Sequence, residues 1–342
     1  MKIQLTHKFS DIISVNNLLE AWKEFEKGKR SRKDVQVFSL KLVDNILALY
    51  RDLAGQTYQH GGYQAFKIYD PKPRDIHKAR VRDRLLHQAV YRMLYPFFER
   101  IFIVDSYSCR LNKGTHRAVK KLKLFVARAS NNNTGTCYAL KCDIRKFFAS
   151  IDHKTLLKIL TEYIPDADVL WLLEKIIFSF NTKPGVGLPL GNLTSQLFVN
   201  IYMNEFDQFV KHRLKAKKYI RYADDFMIID SSAKYLYKLI APIGEFLKDE
   251  LKLELHPQKV EIRKLEQGID FLGYVVLPYY TILRTKTKKR MFKKIKLNKE
   301  KFEHGLINGE TFNQSLQSYY GILGHCDSYK LRLRLDKLIK SL

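Results

Sequence analysis

Apolar residues recur at helical spacing over Val15 to Lys29, at Leu18, Leu19, Trp22 and Phe25, which predicts a helix ending at the basic turn Lys27-Gly-Lys-Arg-Ser-Arg-Lys33. A second helical pattern spans Phe38 to Leu53. Tyr58 to Tyr69 alternates and contains Gly61-Gly62, which predicts a two-stranded unit closed by Pro71 and Pro73. Leu85, Leu86, Val90, Met93, Leu94 and Phe98 then mark an amphipathic helix from Arg82 to Phe102, expected to break near Pro96 because proline lacks the backbone donor. Asn131 to Gly135 reads as a loop. Beyond it, strand-like apolar runs end at Asp143 and flank Tyr222-Ala223-Asp224-Asp225, and helical spacing returns from Tyr319 to Leu338.

Two adjacent carboxylates between apolar strand runs imply a cation, because a turn has no other reason to concentrate like charge. A lone Asp in such a place is an ordinary turn residue. Side chains on a strand alternate faces, so Asp224 and Asp225 cannot both meet one ion from a flat strand, and a further carboxylate must come from elsewhere. Asp143 is the candidate, since it too stands where an apolar strand run ends. Paired strand-end carboxylates suit nucleotidyl transfer, in which two divalent ions about 4 Å apart activate a 3′ hydroxyl and stabilise the leaving pyrophosphate. Magnesium takes one or two carboxylates plus phosphates and waters, so Asp143 and Asp224 would be the main ligands and Asp225 a weaker one.

Composition narrows the partner. The chain has 342 residues, 46% of them hydrophobic, enough for a sizeable core in two or three subdomains. Its 61 Lys and Arg against 35 Asp and Glu give a formal +26, a surface that attracts polyanions, nucleic acid foremost. No apolar stretch approaches the roughly 20 residues that span a bilayer, and the N-terminus has no signal-like segment, so a soluble cytoplasmic protein without a membrane partner is expected. Cys109, Cys137, Cys142 and Cys326 show no zinc spacing and are expected to be reduced.

Phe148, five residues after Asp143, could lie under the sugar of a nucleotide and exclude a 2′ hydroxyl; a core aromatic beside Phe147 is the plainer reading. Gly187-Leu-Pro-Leu190-Gly191-Asn-Leu-Thr-Ser195-Gln196 leads from a glycine turn into the apolar helix pattern Leu197, Phe198, Ile201, Tyr202, where backbone amides can face a nucleotide or template.

In order along the chain, Asp143 with Phe148, the Gly191 helix, the Tyr-Ala-Asp-Asp hairpin, Lys259 in Leu255-His-Pro-Gln-Lys-Val-Glu, and Phe271-Leu272-Gly273-Tyr274 resemble the motifs of reverse transcriptases. Pro71-Lys72-Pro73-Arg74 and Arg82-Asp83-Arg84 are similar to the fingers of group II intron-like bacterial members. The resemblance implies an α+β right-hand polymerase: an N-terminal extension and fingers over 1–135, a palm of antiparallel sheet with helices over 136–280 (part of 151–190 joining the fingers), and a basic helical thumb over 281–342. It leaves no room for an RNase H or endonuclease domain. It also implies two Mg2+ ions, which Mn2+ can replace, held by Asp143, the Ile144 backbone carbonyl, Asp224 and Asp225. Lys72, Arg74, Phe148, Leu190, Gly191, Gln196 and Lys259 would bind the nucleotide, and Phe271 to Tyr274 would grip the primer.

Most of that group carry Gln-Gly and then Ser-Pro where this chain reads Leu190-Gly191 and Ser195-Gln196, a version that resembles reverse transcriptases of diversity-generating retroelements. In that family an aliphatic residue replaces Gln beside the nucleotide and errors fall opposite template adenines. Met often stands there where this chain has Ala223. The expected partners are an RNA template of the template-repeat kind, a DNA or RNA primer, deoxynucleoside triphosphates and a small basic helical accessory protein. The rivals are a retron or group II intron-like enzyme of ordinary fidelity, and a catalytically silent RNA-binding defence protein. A viral-type RNA polymerase is disfavoured, because Phe148 would exclude ribonucleotides.

Overall fold

The structure is a computed structural model that describes residues 2–69 and 73–340; Pro71 and Lys72 lie outside the described residues. In chain order the elements are α1 (Phe9–Ile13), α2 (Val15–Glu26), α3 (Lys33–Leu40), α4 (Leu42–Ala54), β1 (Tyr63–Ile68), β2 (Arg74–Ala79), α5 (Val81–Glu99) and α6 (Thr115–Ala129). Then follow β3 (Tyr138–Asp143), α7 (His153–Thr161), α8 (Ala167–Ile177), α9 (Leu193–Gln208), β4 (Tyr219–Tyr222), β5 (Asp225–Asp230) and α10 (Ala233–Asp249). The chain continues with β6 (Glu261–Lys264), β7 (Ile269–Phe271), β8 (Tyr274–Val276), β9 (Thr281–Leu283), α11 (Thr285–Glu303), α12 (Gly309–Leu323) and α13 (Tyr329–Lys340). The fold mixes helix and strand, and the chain divides into two compact units.

The first unit holds the residues up to Arg110 together with Asp143–Lys215 and Ala241–Gln258. Its centre is α5, whose Leu85, Leu86, Ala89, Val90 and Leu94 are fully buried, with α2 and α9 packed on it. The Asn17 amide of α2 donates to the Ala89 carbonyl at 3.2 Å, and Arg92 pairs with Glu24. α5 runs on through Pro96 to Glu99, against the expected break. Burial of Tyr95, Phe97 and Phe98 offsets the roughly 3 kcal/mol that an interior proline costs.

The helical pattern over Phe38 to Leu53 is divided at Lys41, where φ −123° and ψ 42° leave the helical region, and Asn45 Nδ2 donates to the Phe38 carbonyl across the joint. The expected two-stranded unit is also rearranged. β1 starts at Tyr63 and pairs with β2 beyond the prolines, from Tyr63↔Ala79 to Ile68↔Arg74. Tyr58 to Gly62 is instead pinned to α5: Tyr58 Oη donates to Asp83 at 2.8 Å and the Gly61 amide donates to the same carboxylate at 3.2 Å. A Cβ on Gly61 would come within 2.7 Å of Arg80 and Asp83, so this approach needs glycine.

The second unit holds Leu111–Cys142, Ala216–Ile240 and the residues from Lys259 on. A four-stranded sheet runs β4-β5-β3-β6, with β4–β5 and β3–β6 antiparallel, and an antiparallel sheet runs β7-β8-β9. α6 packs on β4, β5 and β8, burying Ala118, Val119, Leu122, Phe125 and Val126. The basic helices α11 and α13 and the largely uncharged α12 close on Met291, Ile295, Phe312, Leu316, Leu323 and Leu335. Among the described residues no helix is long and apolar enough to cross a membrane.

Candidate active site

β4 and β5 are joined by the two-residue loop Ala223–Asp224, with Tyr222 opposite Asp225. Ala223 sits at φ 56°, a left-handed conformation that lets so short a loop match the strand twist. Arg221 is fully buried, and its Nη1 donates to the Ala223 carbonyl at 3.1 Å, so a charged group secures the turn from within. Asp224 and Asp225 are both half-buried. Thr115, first residue of α6, donates to Tyr222 Oη at 3.5 Å.

The strand beside β5 is β3, which ends in the half-buried Asp143. Burial pushes the preceding Cys142 thiol up to about 12, and the Asp225 carboxylate adds to the shift. Just past the strand, Ile144 pairs with Leu255 in an isolated antiparallel bridge. The bonds flanking it run from His256 N to the Asp143 carbonyl at 2.8 Å and from Arg145 N to the Glu254 carbonyl at 2.9 Å. In such a non-hydrogen-bonded pair the middle carbonyl points away from the partner strand, so Leu255 does not consume the Ile144 carbonyl.

Among the described residues no group of three or more His, Cys, Asp and Glu side chains is arranged to hold a metal ion. The donors at these strand ends are carboxylates and a backbone carbonyl. Hard oxygens in small number fit magnesium, whose remaining positions go to phosphates and waters.

In the first unit Phe147 is buried in the core and Phe148 is half-buried, their rings edge to face at 5.6 Å. The Leu188 amide donates to the Phe148 carbonyl at 2.8 Å, and the His77 amide of β2 donates to the Leu190 carbonyl at 3.0 Å. Phe148, Leu190 and β2 are thus laced into one backbone network. Gly191 holds φ 108°, and a Cβ there would stand 2.9 Å from Ile76 of β2, so glycine is required twice over. Leu190 and Gln196 are half-buried, Gln196 lying in the first turn of α9. Arg74, first residue of β2, is exposed.

The Phe271-Leu272-Gly273-Tyr274 segment is a second two-residue hairpin, with Phe271 opposite Tyr274 and positive φ at Leu272 and Gly273. Tyr274 Oη donates to the Ile322 carbonyl of α12 at 3.1 Å, and the Arg284 amide donates to the Gly273 carbonyl at 2.9 Å. Lys259 is half-buried in the segment between α10 and β6.

Two residues not foreseen emerge here. Arg221 gave no sign in an alternating strand except that a charge stood where an apolar residue was due. Asn192, at the start of α9, is buried, and among the described residues neither atom of its amide has a hydrogen-bond partner. Its place between Gly191 and the helix was the available signal.

Residues 70–276 match the family model described as reverse transcriptase (RNA-dependent DNA polymerase). The chain belongs to that family, whose enzymes are RNA-directed DNA polymerases and generally use divalent metals such as Mg2+. It is 28% identical over 259 residues to protein YkfC of Escherichia coli, covering 63% of this chain and 68% of YkfC. It is 26% identical over 261 residues to the group II intron-encoded protein LtrA of Lactococcus lactis, covering 56% of this chain. A chain in the structure of a Cas6-RT-Cas1–Cas2 complex aligns with a TM-score of 0.43 and 18% identity over 72% of this chain. The chain spans 42% of the length of LtrA and 43% of that complex's chain.

Proposed function

We propose that this protein copies an RNA template into error-prone cDNA within a diversity-generating retroelement, by nucleotidyl transfer at Asp143, Asp224 and Asp225. The observation that carries the polymerase reading is the sheet order, in which the strand ending in Asp143 neighbours the strand beginning with Asp225. Asp143, Asp224, Asp225 and the Ile144 carbonyl would hold two Mg2+ ions. When bound, the ions supply positive charge to the primer hydroxyl and the leaving pyrophosphate. Phe148 stands against the sugar and rejects a 2′ hydroxyl. Lys72 and Arg74 meet the triphosphate, Lys259 pairs with the departing pyrophosphate, and Gly191 and Gln196 shape the nucleotide side of α9. Phe271 to Tyr274 brace the primer.

In this reading the fingers lie within 1–135, the palm within 136–280 and the thumb within 281–342. The grouping of Asp143–Lys215 with the N-terminal residues supports assigning part of 151–190 to the fingers. The template is a dedicated repeat RNA, the primer DNA or RNA, and the partner a small basic helical protein.

The mutagenic reading rests on Leu190 at the position where related enzymes carry Gln. A leucine removes a hydrogen-bonding contact that rewards correct geometry, so right and wrong pairs differ less in transition-state energy. A second reading, an intron-type enzyme of ordinary fidelity, is favoured by the likeness to LtrA. Sequencing cDNA made on a primed, adenine-containing RNA with Mg2+ separates the two. Errors concentrated opposite adenine, falling about tenfold in Leu190→Gln as a contact worth about 1.4 kcal/mol is restored, support the first. Equal error rates in the two proteins overturn it.

A further inference from the structure

Between α11 and α13 lies a cavity of about 590 Å³, lined by Phe292, Leu338 and four cations, Lys293, Lys296, Arg334 and Lys337. Phe292 and Leu338 are half-buried and the four cations exposed, so an apolar floor carries a positive rim. The Arg334 guanidinium lies over the Phe292 ring, 4.8 Å from its centroid, and layers a flat cation on that face. The Lys299 amine donates to the Leu338 carbonyl at 3.0 Å at one edge. Among the described residues lining the cavity none is acidic. Asp336, on the same helix, accepts from Tyr320 Oη.

A helix that only grips duplex backbone needs cations and no pocket, since phosphates lie on the outside of the duplex. Here the cations surround a concave aromatic floor of a size typical of small-molecule sites. Aromatic platforms with a basic rim take unpaired bases, because every base has a π-face and stacking is worth about 1–3 kcal/mol per base. We propose that this cavity binds one unpaired nucleotide of a single strand, the base stacked on the Arg334 guanidinium that Phe292 supports from below and its phosphates on Lys293, Lys296 and Lys337. The site is separate from the strand-end carboxylates and holds single-stranded nucleic acid while synthesis proceeds elsewhere.

The test measures equilibrium binding, without synthesis, of the full chain to a short oligoadenylate, to the same sequence in DNA, and to a blunt RNA–DNA hybrid. Phe292→Leu keeps the apolar volume and loses the ring, and it should weaken single-strand binding about tenfold while hybrid binding changes by less than about twofold. Lys293→Ala with Lys337→Ala should lower the slope of log affinity against log salt for the single strand by about 1.4. Arg334→Gln, at an exposed position, should reproduce the single-strand-specific loss and guards against misfolding of the Phe292 variant. If RNA and DNA arms lose affinity alike, the site reads base and phosphate only; if only the RNA arm does, the template strand is its ligand. Equal losses for single strand and hybrid, no loss in the variants, or equal competition by polyglutamate would overturn the proposal. Because the readout is binding, its failure leaves the polymerase reading standing, and loss of synthesis in a carboxylate variant leaves this one standing.

Discussion

Two hairpins of the second unit each close through two residues and are held differently. Ala223–Asp224 and Leu272–Gly273 are both two-residue loops, and each keeps a non-glycine residue in the left-handed region, Ala223 at φ 56° and Leu272 at φ 51°. Such a backbone costs about 1 kcal/mol or more and persists only where the surroundings over-determine it. For the first loop the constraint is a buried charge, Arg221 donating to the Ala223 carbonyl. For the second it comes from the helical side: the Arg284 amide on Gly273, Tyr274 Oη on the Ile322 carbonyl, and Arg284 paired with Asp270 at 2.9 Å. One turn is braced from its own strand and carries carboxylates, while the other is tied to α12 and to Arg284 at the start of α11 and carries Leu272. Positive φ falls on Ala223 alone in the first loop and on both Leu272 and Gly273 in the second, so two loops of equal length differ in backbone as well as in bracing.

The sharpest way to separate them is Asp224→Asn. DNA synthesis should fall by at least about 10³-fold with primer–template affinity changed by less than about threefold, as measured by single-turnover extension beside equilibrium binding. Arg221→Lys keeps the buried charge and loses the fork geometry, so turnover should fall about tenfold with a smaller change in primer KM. If it changes primer KM alone, the two hairpins are not braced independently. Tyr274→Phe removes one hydrogen bond worth about 1 kcal/mol, and should raise primer KM several-fold while kcat holds.

The smallest effect is in pH. The Cys142 thiol is raised to about 12, so the native protein keeps its proton where the unfolded chain loses it. That stability is present below pH 9 and drains as pH rises from 9 towards 12, by about 1.4 kcal/mol at pH 10. Denaturant titrations of native protein and Cys142→Ala should differ in slope against pH over that window and run parallel below it.

Much of this was legible because the signals were local. The alternation around Tyr222 to Asp225, the glycine turn into α9 and the strand run to Asp143 need only neighbouring residues to be read, and β3, β4, β5 and α9 stand there. The structure departs from the local pattern where distant residues decide. Pro96 does not end α5, because buried aromatics on both sides of it hold the helix. Tyr58 to Gly62 does not form a strand, because Asp83 takes its hydrogen bonds. The sequence does not mark Arg221 and Asn192, because the burial of a polar residue is a property of its neighbours and cannot be seen in the residue itself.

Charge balance, the glycines and the carboxylates at strand ends are written into the chain, since backbone allowance and side-chain chemistry travel with each residue; they point to a polymerase without any coordinates. That β3 lies beside β5, that Leu190 and Phe148 share a backbone network with β2, and that cations gather around Phe292 belong to the tertiary structure alone. Those relations join residues far apart in sequence, and only the burial of shared apolar faces brings them within reach of one another.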